Sequence, residues 1–194
     1  GSSTSINLFK LIKSILQSNK SIMNITTDNL NFPSDKYICE LVAKDFNIEF
    51  NFLNYGSDLI ANIEKLKEFI IKKRGIIVLS HVAFKSSYRY PIEEISKFCK
   101  DNNTIVIWDL SHSVGAVSID MGSNQVDYAI GCTYKYLNGG PGSPAFIYVR
   151  EQELRKLKSP IRGWFSHDKP FEYSNKYSES NSIEKFSNGT PHIL

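Results

Sequence analysis

Leu8, Leu11, Ile12, Ile15 and Leu16 recur at helical spacing near the start of the chain, and Thr4 or Ser5 occupies the place of an N-cap, which predicts an opening amphipathic helix. A second helical pattern follows Asp58, carried by Leu59, Ile63, Leu66 and Ile70. Gly75 then introduces the apolar run Ile76-Ile77-Val78-Leu79, so a helix feeds a buried strand. The alternation repeats after Pro91. Ile92, Ile95, Phe98 and Cys99 share one helical face, and Thr104 to Trp108 form a strand that ends at Asp109. Two more strands are predicted over 126–132 and 145–149, separated by a polar, glycine-rich segment that holds Tyr134 and Lys135. From Ser166 to Ser187 isolated aromatics stand in polar sequence, which reads as a surface excursion. Helices alternating with continuous apolar strands predict an α/β fold with a mostly parallel sheet flanked by helices. In such sheets ligands gather beyond the carboxyl ends of the strands. The polar residues that follow strands are therefore the ones to weigh: Ser80 and His81, Asp109 to His112, and Thr133 to Lys135.

Composition changes this picture little. The 194 residues, 41% of them hydrophobic, suffice for one ordinary domain. Lys plus Arg number 23 against 20 Asp plus Glu, and the basic residues are scattered, so neither the net charge of +3 nor its distribution asks for nucleic acid. Cys39, Cys99 and Cys132 are far apart and form no C-x-x-C pair, which suggests neither a disulfide framework nor a metal site and makes a reducing, cytoplasmic compartment the default. No apolar run approaches the ~20 residues of a membrane span.

Each candidate residue has an ordinary reading beside a chemical one. Asp109 follows five apolar strand residues, where a carboxylate needs a cation or strong donors; it is either a helix N-cap or the partner of a protonated ring nitrogen. Lys135 is either a solvated surface lysine or an amine that is partly desolvated, lowered in pKa and able to attack a carbonyl. His112 is a packing histidine or a contact to a bound ring. Phe32 is a core or turn aromatic or a ring-stacking face. Thr4 and Ser5 are a capping pair or, with helix amides, a phosphate cradle. Trp164, taken alone, is a packing residue.

Taken together, Ser3-Thr4-Ser5-Ile6-Asn7-Leu8, Phe32-Pro33-Ser34-Asp35, the run from Asp109 to Gly115, Thr133-Tyr134-Lys135-Tyr136-Leu137-Asn138, Gly163-Trp164-Phe165-Ser166-His167 and Gly189-Thr190-Pro191 resemble kynureninase, a hydrolase family of the fold-type I pyridoxal-phosphate enzymes. The resemblance covers almost the whole chain. It implies pyridoxal 5'-phosphate as cofactor, Lys135 as the Schiff-base lysine and Asp109 as partner of the pyridinium nitrogen. His112 lies by the ring, Phe32 stacks on it, and Pro33, Ser34 and Asp35 belong to the same loop. Thr4 and Ser5, helped by the Tyr134 hydroxyl, receive the phosphate, and Ser80 lies near the cofactor. Trp164 and Thr190 match contacts that come from the neighbouring subunit, which implies a homodimer with shared active sites. One departure is His192, where relatives usually carry a second proline.

The activity so implied is hydrolysis of L-kynurenine, or its 3-hydroxy form, to anthranilate, or 3-hydroxyanthranilate, and L-alanine. Lys135 serves as general base at the α-carbon and Tyr134 assists proton movement. Within the same superfamily a cysteine desulfurase or selenocysteine lyase is the alternative, although the Ser-x-His-Lys pattern of those enzymes is absent. A non-catalytic cofactor-binding module is another, and an unrelated α/β domain a third. The family is about twice this length. The expectation is a central piece of the cofactor-binding large domain, 1–194, cut at both ends, without the arginine that binds the substrate carboxylate. The opening helix and an element starting at His192-Ile193-Leu194 are then expected to lack packing partners, leaving the piece poorly stable.

Overall fold

In the computed structural model, which describes residues 1–190, helix α1 (Thr4–Ser18) leads into β1 (Asn24–Asp28), α2 (Pro33–Asp45) and β2 (Glu49–Leu53). Next come α3 (Ile63–Lys72), β3 (Ile76–Ser80), α4 (Ile92–Asp101) and β4 (Ile105–Asp109), then β5 (Tyr128–Cys132), β6 (Ala145–Val149) and the short α5 (Glu151–Leu154). The strands make one sheet in the order β2-β1-β3-β4-β5-β6, parallel throughout except that β6 runs antiparallel to β5.

Side-chain alternation divides the interior into two layers. Ile76, Val78, Ile107 and Ile130 pack with α1 and α2, whereas Ile77, Leu79, Val106, Trp108 and Ala129 pack with α3 and α4. Continuing the same period to the strand ends puts Ser80, Asp109 and Cys132 on the α1–α2 side. That is the side on which α1 and α2 begin, so alternation alone decides which face carries the polar groups. The apolar stripe of α1 is fully used: Leu8, Leu11, Ile12, Ile15 and Leu16 are buried against α2, β5 and β6. Each such side chain contributes about 1.5–3 kcal/mol by burial. The expectation that the opening helix lacks partners is thereby corrected. The element anticipated at His192 lies outside the described residues.

Three elements escape the hydrophobic pattern. Strand β1 reads Asn-Ile-Thr-Thr-Asp yet is buried at every position. Its polar side chains are satisfied by carbonyls distant in sequence: Thr27 Oγ1 donates to the Val78 carbonyl at 3.0 Å and Asn24 Nδ2 donates to the Arg74 carbonyl. Edge strand β2 and helix α2 are only partly apolar, and the Phe32-Pro33-Ser34-Asp35 segment, expected as a loop, is the start of α2, with Pro33 at its first position, where no amide donor is needed. Boundaries move as well. Ser3, not Thr4 or Ser5, caps α1; α3 begins after Asn62, whose side chain accepts from the Lys65 amide, rather than after Asp58. The polar stretch 166–187 is no simple excursion, because Ser166, Lys185 and Phe186 are buried. The Lys185 ammonium donates to the carbonyls of Leu154 and Leu157, and Lys10 of α1 donates to the carbonyl of Phe186, which ties this strap to the body.

Candidate functional site

Beyond the carboxyl ends of β4 and β5, the starts of α1 and α2 close a cavity of about 390 Å³ lined by Ser2 to Ser5, Phe32, Ser34, Asp35, Asp109, Ser111, His112, Cys132, Tyr134 and Lys135. A larger cleft of about 630 Å³ lies at the opposite, amino end of the strands, bordered by Arg74, Lys100, Asp127 and Glu153. Its carboxylates are paired: Asp127 with Arg150 at 2.6 Å, and Glu153 with Lys156 at 2.7 Å. In the smaller cavity a buried carboxylate oxygen of Asp35 and a ring nitrogen of His112 have no partner.

Asp109 is 3% exposed at the end of β4. Its Oδ1 accepts from the Ser111 amide at 2.9 Å and the Ser111 hydroxyl at 2.6 Å, which fastens the turn after the strand. The capping role is thus real, but it caps a turn rather than a helix and occupies one oxygen. Asp35, in the first turn of α2, is equally buried and lies within hydrogen-bonding reach of Asp109. Its Oδ2 has no partner. Burial, reinforced by the charge of Asp109 and opposed by Lys135, holds the Asp35 carboxyl well above the usual carboxylate range. Two buried carboxyls with one unpartnered oxygen constitute a site deficient in positive charge.

Lys135 stands three residues beyond β5 on a loop that closes on itself. The Gly139 amide donates to the Thr133 carbonyl at 2.8 Å, and Thr133 Oγ1 bonds Ser143 and the Pro144 carbonyl. A Cβ at Gly115, which has φ of +84°, would sit 2.5 Å from the Tyr136 carbonyl oxygen; glycine there lets the turn after Asp109 lie against the lysine loop. Lys135 Nζ reaches the Tyr134 hydroxyl at 3.2 Å and Cys132 Sγ at 3.7 Å, and stands 6.0 Å from the Phe32 ring centre. Its pKa is not lowered as expected. Burial is the largest single influence and pulls downward, but the Tyr134 hydroxyl, Cys132 and Asp109 together outweigh it and raise the value. The amine must therefore shed a proton before it can act as a nucleophile.

The remaining walls are complementary. The start of α1 carries no acidic residue, so its free amides and the hydroxyls of Thr4 and Ser5 suit an anion. Phe32 keeps a face exposed while Phe84 meets it edge-on at 5.2 Å; Phe84 in turn lies 6.4 Å from His112. His112 has a buried Nδ1 without a partner, and burial followed by the Lys135 charge lowers its pKa, which keeps the ring neutral at pH 7. A flat ring bearing a protonated nitrogen at one end and a phosphate at the other fits these groups. The nitrogen would supply the positive charge missing between Asp35 and Asp109.

Not every predicted residue converges here. Ser80 is buried at the end of β3, paired in register with Asp109, but it does not line the cavity. Pro33 begins α2 without touching it. Trp164 stacks on Tyr173 at 5.9 Å beside a separate hollow, and Thr190 is exposed, so neither reaches this cavity within the chain. Sequence reasoning gave no role to Ser111, Cys132 or Phe84. A serine two residues beyond a strand-terminal aspartate is a signal for the first; nothing local marks the other two.

The family model described as aminotransferase class-V matches residues 1–194. Kynureninase of Pseudomonas fluorescens is 38% identical over 98% of this chain, and that of Deinococcus radiodurans 33% identical over its whole length; the chain spans 45% of each. Among solved structures, the cysteine desulfurase of Thermococcus onnurineus NA1 superposes with a TM-score of 0.83 at 19% identity, covering 99% of this chain and 47% of that one. A C-DES mutant with glycine covalently linked to its PLP cofactor superposes with a TM-score of 0.79 at 18% identity, over 97% of this chain and 50% of the other. These likenesses establish the fold expected of a fold-type I large domain. With its full length matched by the family model, the chain belongs to the aminotransferase class-V family.

Proposed function

We propose that this chain carries the cofactor site of a kynureninase, hydrolysing L-kynurenine or 3-hydroxykynurenine to anthranilate or 3-hydroxyanthranilate and L-alanine. The observation that carries the reading is the convergence of the Lys135 amine, the Asp35–Asp109 carboxyl pair and the acid-free start of α1 on one cavity, in a chain whose curated relatives are kynureninases. Pyridoxal phosphate is the cofactor, and when bound it supplies an electron sink for a carbanion beside the substrate amino group.

The chain's own residues divide the work. Lys135 would hold the cofactor through its amine and would be the base that takes the α-proton. Its proton has a near acceptor in the Tyr134 hydroxyl at 3.2 Å. Asp109 holds the proton on the ring nitrogen, with Asp35 adding negative potential from the same side. Phe32 covers one ring face, neutral His112 borders the ring, and the amides and hydroxyls at Thr4 and Ser5 hold the phosphate. Trp164 and Thr190, remote from the cavity of their own chain, serve the site of a second copy in a homodimer. The chain supplies the large domain, with the arginine for the substrate carboxylate provided from outside it, and the enzyme works in the cytoplasm. Among the described residues no helix is long and apolar enough to cross a membrane.

Kynurenine added to the complete, cofactor-loaded enzyme should yield anthranilate and alanine in equal amounts. Release of sulfide or selenide from cysteine or selenocysteine instead would move the enzyme to the desulfurase reading, and an unchanged absorbance spectrum with all of these substrates would leave a binding module. Likeness to the desulfurase fold at 19% identity does not by itself favour that chemistry.

A further inference from the structure

We infer that Cys132 and Lys135 form a sulfur–nitrogen cross-link in the cofactor-free protein when a hydroperoxide enters the cavity. The proposed hydrolysis has no use for Cys132, yet its sulfur lies 3.7 Å from the Lys135 amine and lines the same cavity. Its other polar neighbour, the Ser111 carbonyl, is 4.0 Å away, so no strong bond holds the sulfur apart from the amine. The two residues are three apart at the end of β5, and the lysine stem is long enough to close the remaining gap by rotation.

The other two thiols make a natural contrast. Cys39 and Cys99 are sealed in the two core layers, where burial pushes the Cys99 thiol up to about 12 and the Cys39 thiol well above its ordinary value. Cys132 is buried too, at 1% exposure, but it lines the cavity, which offers a small oxidant a route that the other two lack.

In the first step the sulfur attacks hydrogen peroxide, the O–O bond breaks, water leaves and the sulfur carries a hydroxyl. The neutral Lys135 nitrogen then attacks that sulfur; the S–O bond breaks, and hydroxide leaves with the amine proton as a second water. Cysteine sulfur has lost two electrons and the peroxide has gained them. Cofactor loading prevents both steps, because the lysine nitrogen is committed and the cavity filled. That last consequence rests on the reading of Lys135 given above, whereas the cross-link rests on the geometry alone.

The complete protein, freed of cofactor, is treated with hydrogen peroxide and digested with trypsin. Between Lys100 and Arg150 the one tryptic site is Lys135. The expected product is the 101–150 peptide uncut at Lys135 and about 2 Da lighter, reverting to two normal fragments after dithiothreitol. It should be absent from Cys132→Ser and Cys132→Ala proteins, with circular dichroism confirming that each is folded. Normal cleavage at Lys135 with oxygen added to Cys132, or a gain of about 14 Da that marks an inserted oxygen, would overturn the direct bond. So would the same product from the serine variant. If cross-linked protein still loaded cofactor normally, the link would stand and the role of Lys135 would fall.

Discussion

Two buried carboxylates end neighbouring parts of the sheet, and they differ in what satisfies them. Asp28, at the end of β1, is 1% exposed and has both oxygens bonded by its own chain: Oδ1 accepts from the Leu30 and Asn31 amides and Oδ2 from the Tyr90 hydroxyl at 2.6 Å. Burial still pushes its carboxyl up to about 6 against those bonds. Asp35 and Asp109, on the α1–α2 face of the sheet, lie together instead, with Asp35 Oδ2 unpartnered. A structural carboxylate is completed by local donors. A pair left incomplete costs stability that only an external cation recovers, and this marks the cavity as functional more firmly than its size does.

Several changes would break or sharpen that contrast. The largest effect is expected from Lys135→Ala in the complete enzyme, which removes both the bonding amine and the base; turnover should fall roughly 10⁴-fold. Borohydride reduction of the wild type followed by peptide mapping should place the pyridoxyl group on Lys135, and its appearance on another lysine would reassign the site. Asp109→Asn should lower kcat roughly 10³-fold, because an amide cannot hold a proton on the ring nitrogen, while the Ser111 bonds survive and the melting temperature changes little. Wild-type activity in this variant would reduce Asp109 to its turn-capping role.

Asp28→Asn tests the other half of the comparison. The folded value of about 6 lies above the unfolded value of 3.8, so the protonated form favours the fold; that stability is fully present below pH 3.8 and is lost as pH rises through 6. The wild type should lose roughly 3 kcal/mol from this group across the interval, and Asp28→Asn should remove that slope from the stability profile without altering cofactor affinity. A profile that keeps the slope would place its origin elsewhere. The smallest effect, about 1 kcal/mol, is expected from Asp35→Asn. It should stabilise the cofactor-free protein, by removing one of two adjacent carboxyls, and weaken cofactor binding by a similar amount. Thermal melts with and without pyridoxal phosphate read both signs, and a variant destabilised in each state would make Asp35 an ordinary structural residue.

How much of this was legible beforehand depended on the kind of signal. The helices at Leu8–Leu16 and Ile92–Cys99 and the strands at Ile76 and Ile105 are visible because apolar periodicity records burial directly. Strand β1 is invisible to the same reading: Thr27 and Asn24 are buried by virtue of bonds to distant carbonyls, and no spacing in the sequence announces a partner 50 residues away. The ordered motifs placed Lys135, Asp109, Phe32, Thr4 and Ser5 at one site, and the structure brings those five together.

By itself the sequence determined the α/β alternation, the family and the roster of chemical groups, since these follow from local patterns that any fold must honour. Only the tertiary structure decided that Asp35 lies beside Asp109, that Cys132 lies beside the lysine, and that the Lys135 pKa rises instead of falling. Those outcomes depend on which face of the sheet each strand end presents and on which charges meet there. Electrostatic effects are sums over neighbours in space, and a chain read in one dimension carries the terms of that sum without their distances.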